Sequence, residues 1–297
     1  MERVKTKEIE ISIPGGELVF ETDGEKAFLS RVAGRPYEAL VPEVLSDGSR
    51  VVSVGRKAFL GKKQIKSITL PDSVREIGDW AFAYCDLLDE VTMSRATVGK
   101  DIFLGCTRIR KVFFGDRDDT ETAALLAKIA TDVKASYLVD PEIIGTAEWY
   151  EKWDARLISI LNEPDSEGFS HQILCGEEDY GSSDQNAYEL RRRMDKAEVC
   201  MLRAMNDKLL ADNLRETIND YIFSHNAGAS PGAESWKVIL ERHPDDREWY
   251  EFYVKLSCVN DGNIDNILND IKDTHPELKA YLLRNTGKKD FLDSLML

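Results

Sequence analysis

Three segments of this chain repeat one pattern in register, and a repeat restricts the possible folds more than any other sequence feature. They run from Val54-Gly-Arg-Lys-Ala-Phe59 to Leu70, from Ile77-Gly-Asp-Trp-Ala-Phe82 to Met93, and from Val98-Gly-Lys-Asp-Ile-Phe103 to Phe114. Gly55, Gly78 and Gly99 step by 23 and then 21 residues, and Phe59, Phe82 and Phe103 step identically. A unit this short cannot bury its own apolar face, so successive units must stack as coils of a solenoid. The spacing Ile65-x-x-Ile68-x-Leu70 puts Ile68 and Leu70 on one side of a short strand that Pro71 ends. Equivalent residues of neighbouring coils should lie about 4.8 Å apart. The three phenylalanines should form an interior aromatic ladder, with each glycine where the strand turns into the next corner.

The string V-x-x-I-G-x-x-A-F-x-x-C-x-x-L-x-x-V-x-M, carried by Val74 to Met93, resembles the BspA-type leucine-rich repeat. Tyr37 to Pro42 and Val51 to Gly55 resemble a first coil, lengthened by an insertion around Ser46-Asp47-Gly48. The resemblance covers roughly residues 37–114 and implies three to four coils. Members of this family are often found on cell surfaces, where they bind proteins, so it also implies a protein partner. The ends of a solenoid need covering. Glu8 to Ile13 alternates with period two, Pro14-Gly15-Gly16 turns the chain, and Leu18 to Phe20 alternates back, which predicts a β-hairpin cap. Cys85 and Cys106 occupy the same position in successive coils, and Lys62 holds it in the coil before. Such a pair is either a disulfide or metal pair, or two small buried side chains.

Beyond Gly115-Asp-Arg-Asp-Asp-Thr120 the pattern turns helical. Leu125, Leu126 and Ile129 predict a helix over 122–134 that closes the last coil. Thr146 is placed to cap a helix carrying Trp149, Trp153, Leu157 and Leu161. Apolar stripes then recur between short breaks at 228–232, His243-Pro244, Asp261-Gly262 and His275-Pro276. The expectation is an α+β chain: a short β-rich leucine-rich-repeat solenoid followed by an all-α helical-repeat domain of ankyrin-like or α-solenoid type. Its parts are a repeat domain over 1–114, a linker with a helix over 115–145, and a helical domain over 146–297.

Charge is divided unevenly. Residues 1–114 hold 18 Lys/Arg and 17 Asp/Glu, whereas 115–297 hold 21 and 37. The second part should repel nucleic acid and anionic lipid, and no apolar run reaches the length of a membrane span. Neither nucleic acid nor membrane is therefore an expected partner. The five cysteines are odd in number and widely spaced, without C-x-x-C. Together with the N-terminal MERVKTKEIEISIPGG, which lacks a signal-length apolar run, they fit free thiols in a reducing cytoplasm.

The densest polar stretch is CGEEDYGSSD, Cys175 to Asp184. A metal there would fall to Glu177, Glu178 and Asp179, but contiguous carboxylates splay to different sides, and His171 with Cys175 is interrupted by Gly176. The competing reading is a helix start, with Ser182-x-x-Gln185 as a capping box and Asp184 favouring the helix N-terminus. Arg191-Arg192-Arg193 reads as a solvated helix face. No phosphate-loop, dinucleotide, zincin or nucleophile-elbow motif is present. The expected function is a non-enzymatic protein-binding scaffold without cofactor or catalytic residues. The alternatives are a metal-binding or enzymatic module built on the acidic stretch, and a structural protein that assembles with copies of itself.

Overall fold

A computed structural model describes residues 6–115, 117–129, 133, 135–169, 184–228, 232–271 and 275–285. The chain divides into two compact units, Met1–Arg156 and Leu157–Leu297.

The first unit opens with the expected hairpin. β1 (Lys7–Ile13) and β2 (Gly16–Thr22) pair antiparallel with Ile9 opposite Phe20. A third strand, β3 (Lys26–Gly34), pairs antiparallel with β2 on one side and parallel with the coil strands on the other. It joins cap to solenoid, and the sequence reading did not anticipate it. The register of its pairings shifts at Val19/Phe20 and at Ala27/Phe28, and such bulges break the period-two alternation that marks a strand.

Four coils follow. Their first side is a parallel sheet of β3, β5 (Arg50–Val54), β7 (Glu76–Ile77) and β9 (Thr97–Val98). Their third side is a second parallel sheet of β4 (Glu38–Leu40), β6 (Ser67–Thr69), β8 (Glu90–Met93) and β10 (Lys111–Phe114). Ala39, Ile68, Val91 and Val112 stand in register on this sheet and point inward, each at most 2% exposed.

Between the sheets lies a turn side, and it too is a hydrogen-bonded ladder. The amides of Lys57, Phe59 and Gly61 donate to the carbonyls of Asp79, Ala81 and Ala83 one coil on. Trp80, Phe82 and Tyr84 donate in the same way to Lys100, Ile102 and Leu104. The aromatic ladder runs beneath, with Phe59–Phe82 and Phe82–Phe103 ring centroids each 5.5 Å apart. At a corner, the buried Ser73 and Ser94 hydroxyls reach back one coil, to the Val51 and Val74 carbonyls.

The repeated glycines sit at the close approach of one coil to the last. A Cβ on Gly78 would stand 2.6 Å from the Arg56 amide nitrogen, and one on Gly99 would stand 2.5 Å from that of Asp79. The expected role of these glycines is at corners; the operative constraint is the space between coils.

Residues 115–145, read from sequence as a linker, fall inside the first unit. α1 (Thr120–Lys128) is capped by Asp119, which accepts from the Thr122 amide, and packs against β10 as the expected closing helix does. A 3-10 turn over Ser136–Val139 leads to α2 (Ala147–Asn162), in which the unit boundary falls. The Trp149 amide donates to the Thr146 hydroxyl, so Thr146 caps α2 as expected. Trp149 and Trp153 are fully buried, and their indole nitrogens donate to the Leu138 and Leu125 carbonyls. Leu157 is buried too, but after it the buried position is Ile160, and Leu161 is only half-buried.

Among the described residues of the second unit the regular elements beyond α2 are helices: α3 (Gln185–Met205), α4 (Asp212–Ser224), α5 (Glu234–Arg242), α6 (Arg247–Lys255), α7 (Ile264–Asp270) and α8 (Pro276–Asn285). α3 packs on α4 and α5, while α8 packs on α6 and α7. The predicted stripes form the core, with Met194, Ala197 and Met201 of α3, Ile218 and Ile222 of α4, and Trp236 stacked on Tyr253 all buried.

Replacing Gly99 by alanine drives a methyl group into the backbone of the preceding coil. The expected cost is about 1–3 kcal/mol, read as a lower urea midpoint of the intact chain; an unchanged midpoint would show that the coils are less tightly set than described.

Candidate interaction surface

The repeat unit presents two regular faces. On the outer face of the second sheet, Glu38, Ser67, Glu90 and Lys111 form one row, and Leu40, Thr69, Thr92 and Phe113 form the next. This face is not uniformly open. Leu40 is 71% exposed, whereas Thr92 and Phe113, near the end where α1 packs on β10, are 6% and 7% exposed. The turn side is the second face, and it carries exposed Leu60, Tyr84 and Leu104.

The turn side has two left-handed backbone positions per coil. Lys57, Trp80 and Asp101 occupy the first, at φ of 62°, 53° and 52°. Gly61, Tyr84 and Gly105 occupy the second, at 68°, 56° and 76°. Glycine adopts this region freely, whereas a bulky residue is strained there. Tyr84 is thus the exception in a position its neighbours give to glycine. Its ring lies over Gly105, where a Cβ would stand 2.6 Å from the Tyr84 Cδ1 atom.

Cys85 and Cys106 are buried free thiols rather than a disulfide. Each Sγ donates to the phenylalanine carbonyl of the preceding coil, Cys85 to Phe59 at 3.2 Å and Cys106 to Phe82 at 3.1 Å. Lys62, at the same position one coil earlier, uses its Nζ in the same way, on the Gly34 carbonyl. The position calls for a side-chain donor that satisfies a carbonyl, and a thiol meets that need where the space is dry. The neighbouring Cys106 thiol and burial push Cys85 well above the usual thiol range. Burial raises Cys200 likewise and pushes Cys258 up to about 12. None of the three is set up as a nucleophile.

Glu177, Glu178 and Asp179, with His171, Cys175 and Ser182, lie outside the described residues. Of that stretch Asp184 is described: it is the N-cap of α3, its carboxylate accepting from the Asn186 amide at 2.8 Å. Among the described residues, no group of three or more His, Cys, Asp or Glu could hold a metal ion. The described histidines make structural contacts. His225 ends α4 with its Nδ1 2.8 Å from the Tyr221 carbonyl, and His243 stacks on Trp249 with its Nε2 3.2 Å from Glu198.

Ion pairs, not a solvated face, occupy much of the basic run on α3. Arg191 is exposed, but Arg192 pairs with Glu163 at 2.9 Å and Arg193 with Glu234 at 2.7 Å. Lys196 pairs with Asp165 at 2.8 Å. Glu234 is fully buried in the first turn of α5, where the helix N-terminus also favours its charge. Burial works against the Arg193 charge, yet Glu234 and Asp165 outweigh it and hold the guanidinium above its ordinary value. These partners lie 29, 41 and 31 residues apart in the chain, so no local pattern could announce them.

Residues 44–122 match the model of the BspA type leucine rich repeat region (6 copies). Similar solved structures include a leucine rich cell surface protein from Faecalibacterium prausnitzii, at 21% identity and a TM-score of 0.29, covering 35% of this chain and 30% of that one. The leucine rich repeat protein of T. pallidum is 27% identical, with a TM-score of 0.25 and coverage of 31% and 43%. A leucine-rich repeat protein from Bacteroides capillosus is 23% identical, with a TM-score of 0.26 and coverage of 36% and 99%. This chain thus spans about a third of the first of these proteins and under half of the second. No curated protein compared with the sequence matches it. Among the described residues, no helix is long and apolar enough to cross a membrane.

Two outcomes are expected. Alkylation of the native chain at pH 8 should leave Cys85, Cys106, Cys200 and Cys258 unmodified until denaturant is added, as peptide mass mapping would show; rapid native labelling of any of them would contradict their burial. Replacing Glu234 by alanine should cost about 1–3 kcal/mol, because the partly buried Arg193 loses its nearest partner and keeps only Asp165 at 3.6 Å and Glu189 at 3.9 Å. A urea midpoint within error of the parent would show that the pair carries no such weight.

Proposed function

We propose that this chain, whose residues 44–122 form a BspA-type leucine-rich repeat region, is a non-enzymatic protein-binding module acting in the cytoplasm, and that the repeat unit carries the binding. Leucine-rich repeats commonly serve as protein-interaction modules, so the family supports binding in general. The observation that carries the reading is the stacking itself. Hydrogen bonds at every coil hold both sheets and the turn side in register, so side chains on the surface recur at fixed spacing. A rigid, regular surface loses little entropy when a partner docks, and that favours recognition of an extended segment. The free thiols support a reducing compartment.

The test is chemical crosslinking of the full chain at native expression, followed by mass spectrometry. The expected result is one partner protein joined through lysines of the repeat unit, such as Lys63 and Lys66. Crosslinks confined to copies of this chain would point to self-assembly instead, and their absence at any partner would count against the proposal.

A further inference from the structure

The turn side of the coils combines two features that packing does not account for. The first is Tyr84. It holds φ at 56°, in a position where Gly61 and Gly105 avoid the strain, yet half of it, 51%, remains exposed. A buried aromatic would recover the strain in the core; this one spends it on keeping a ring at the surface. Strained backbone of this kind clusters at ligand clamps and active sites. Leu60 on the coil before and Leu104 on the coil after are 39% and 44% exposed. At about 4.8 Å per coil, the row spans about 10 Å.

The second feature is charge. Gly55 to Lys66 holds Arg56, Lys57, Lys62, Lys63 and Lys66 and no carboxylate. Of the carboxylates on the neighbouring coils, Asp86 pairs with Lys63 at 3.4 Å, Asp101 with Lys100 at 3.9 Å, and Asp79 accepts from the Lys100 amide. Among the described residues, Arg56 and Lys57 form no ion pair. Both rest instead on the Trp80 ring, at 4.6 and 5.0 Å from its centroid. An indole face attracts one cation well, but two cations on one ring repel each other, and a carboxylate brought between them relieves that repulsion.

From these features we infer that the turn side docks an acidic segment of a partner protein, extended across the coils. Its carboxylates meet Arg56 and Lys57, and an apolar side chain lies against Leu60, Tyr84 and Leu104. Charge complementarity selects this occupant. The assignment rests on the protein-binding reading above and names the face and the chemistry of the partner.

Fluorescence anisotropy with the full chain tests it, using a labelled twelve-residue peptide that alternates Glu with Leu or Phe. Tyr84→Gly is the decisive variant, because it removes the ring while relieving the left-handed strain, so its melting temperature should not fall. The expected results are saturable binding, at least about tenfold weaker binding for Tyr84→Gly, and a comparable loss for the double variant Arg56→Glu, Lys57→Glu. A peptide with Lys for Glu, or with Ser for the apolar residues, should bind at least tenfold more weakly than the parent peptide. Equal binding by Tyr84→Gly, or by the Ser peptide, would overturn the inference. So would light scattering that shows a dimer dissolved by Tyr84→Gly, since the face would then belong to a second copy. If crosslinking captures a partner at the repeat unit and Tyr84→Gly leaves that capture unchanged, protein binding stands and the turn side is the wrong face.

Discussion

The spacing between coils governs the repeat unit. The backbone of each coil approaches the next closely enough that a methyl group on Gly78 or Gly99 has no room, and this closeness lets the turn side form a ladder of its own. Everything inside follows that spacing. The phenylalanine rings stack at 5.5 Å, and the thiols of Cys85 and Cys106 reach the carbonyl one coil back. With donors met by acceptors from coil to coil, the unit has little freedom to shear, and an exposed row on one coil is held against the row on the next.

The same ladder explains why Tyr84 stands out. The backbone path of the turn side is imposed by its hydrogen bonds, so a residue at the second left-handed position must accept φ near 56–76° whatever its side chain. Gly61 and Gly105 meet that demand without strain. Tyr84 meets it with strain and sends its ring over Gly105, a residue that has no side chain to obstruct it. The second unit is organised differently. Its core is ordinary helix packing, but ion pairs tie α3 to distant parts of the chain, Arg193 with the buried Glu234 and Arg242 with the half-buried Asp195, at 2.7 Å each. Such pairs cost desolvation and are strongly felt when one partner is removed.

How much of this was legible depended on whether the cause was local. The coils were legible because stacking makes the same demand on every unit, and Gly55, Gly78 and Gly99 record it at regular steps. The hairpin β1–β2 was legible from its alternation around Pro14-Gly15. β3 was not, since the register shifts at Ala27/Phe28 and at its β2 partner disrupt the alternation. The roles of Arg192 and Arg193 were hidden because their partners lie 29 and 41 residues away. The strain at Tyr84 appears only once φ is known. On the acidic stretch the helix cap is Asp184 and not Ser182 of the expected capping box, since Gln185 is the first residue of α3, whereas Glu177, Glu178 and Asp179 lie outside the described residues.

The central claim is that a rigid coil stack offers its turn side as the binding face. Chemical-shift mapping of the isotope-labelled full chain, titrated with the acidic, apolar peptide, tests it most directly. The account predicts perturbations concentrated at Arg56 to Leu60, Trp80 to Tyr84 and Leu104. Perturbations confined to the outer face of the second sheet, or to the helices α3 to α8, would contradict it.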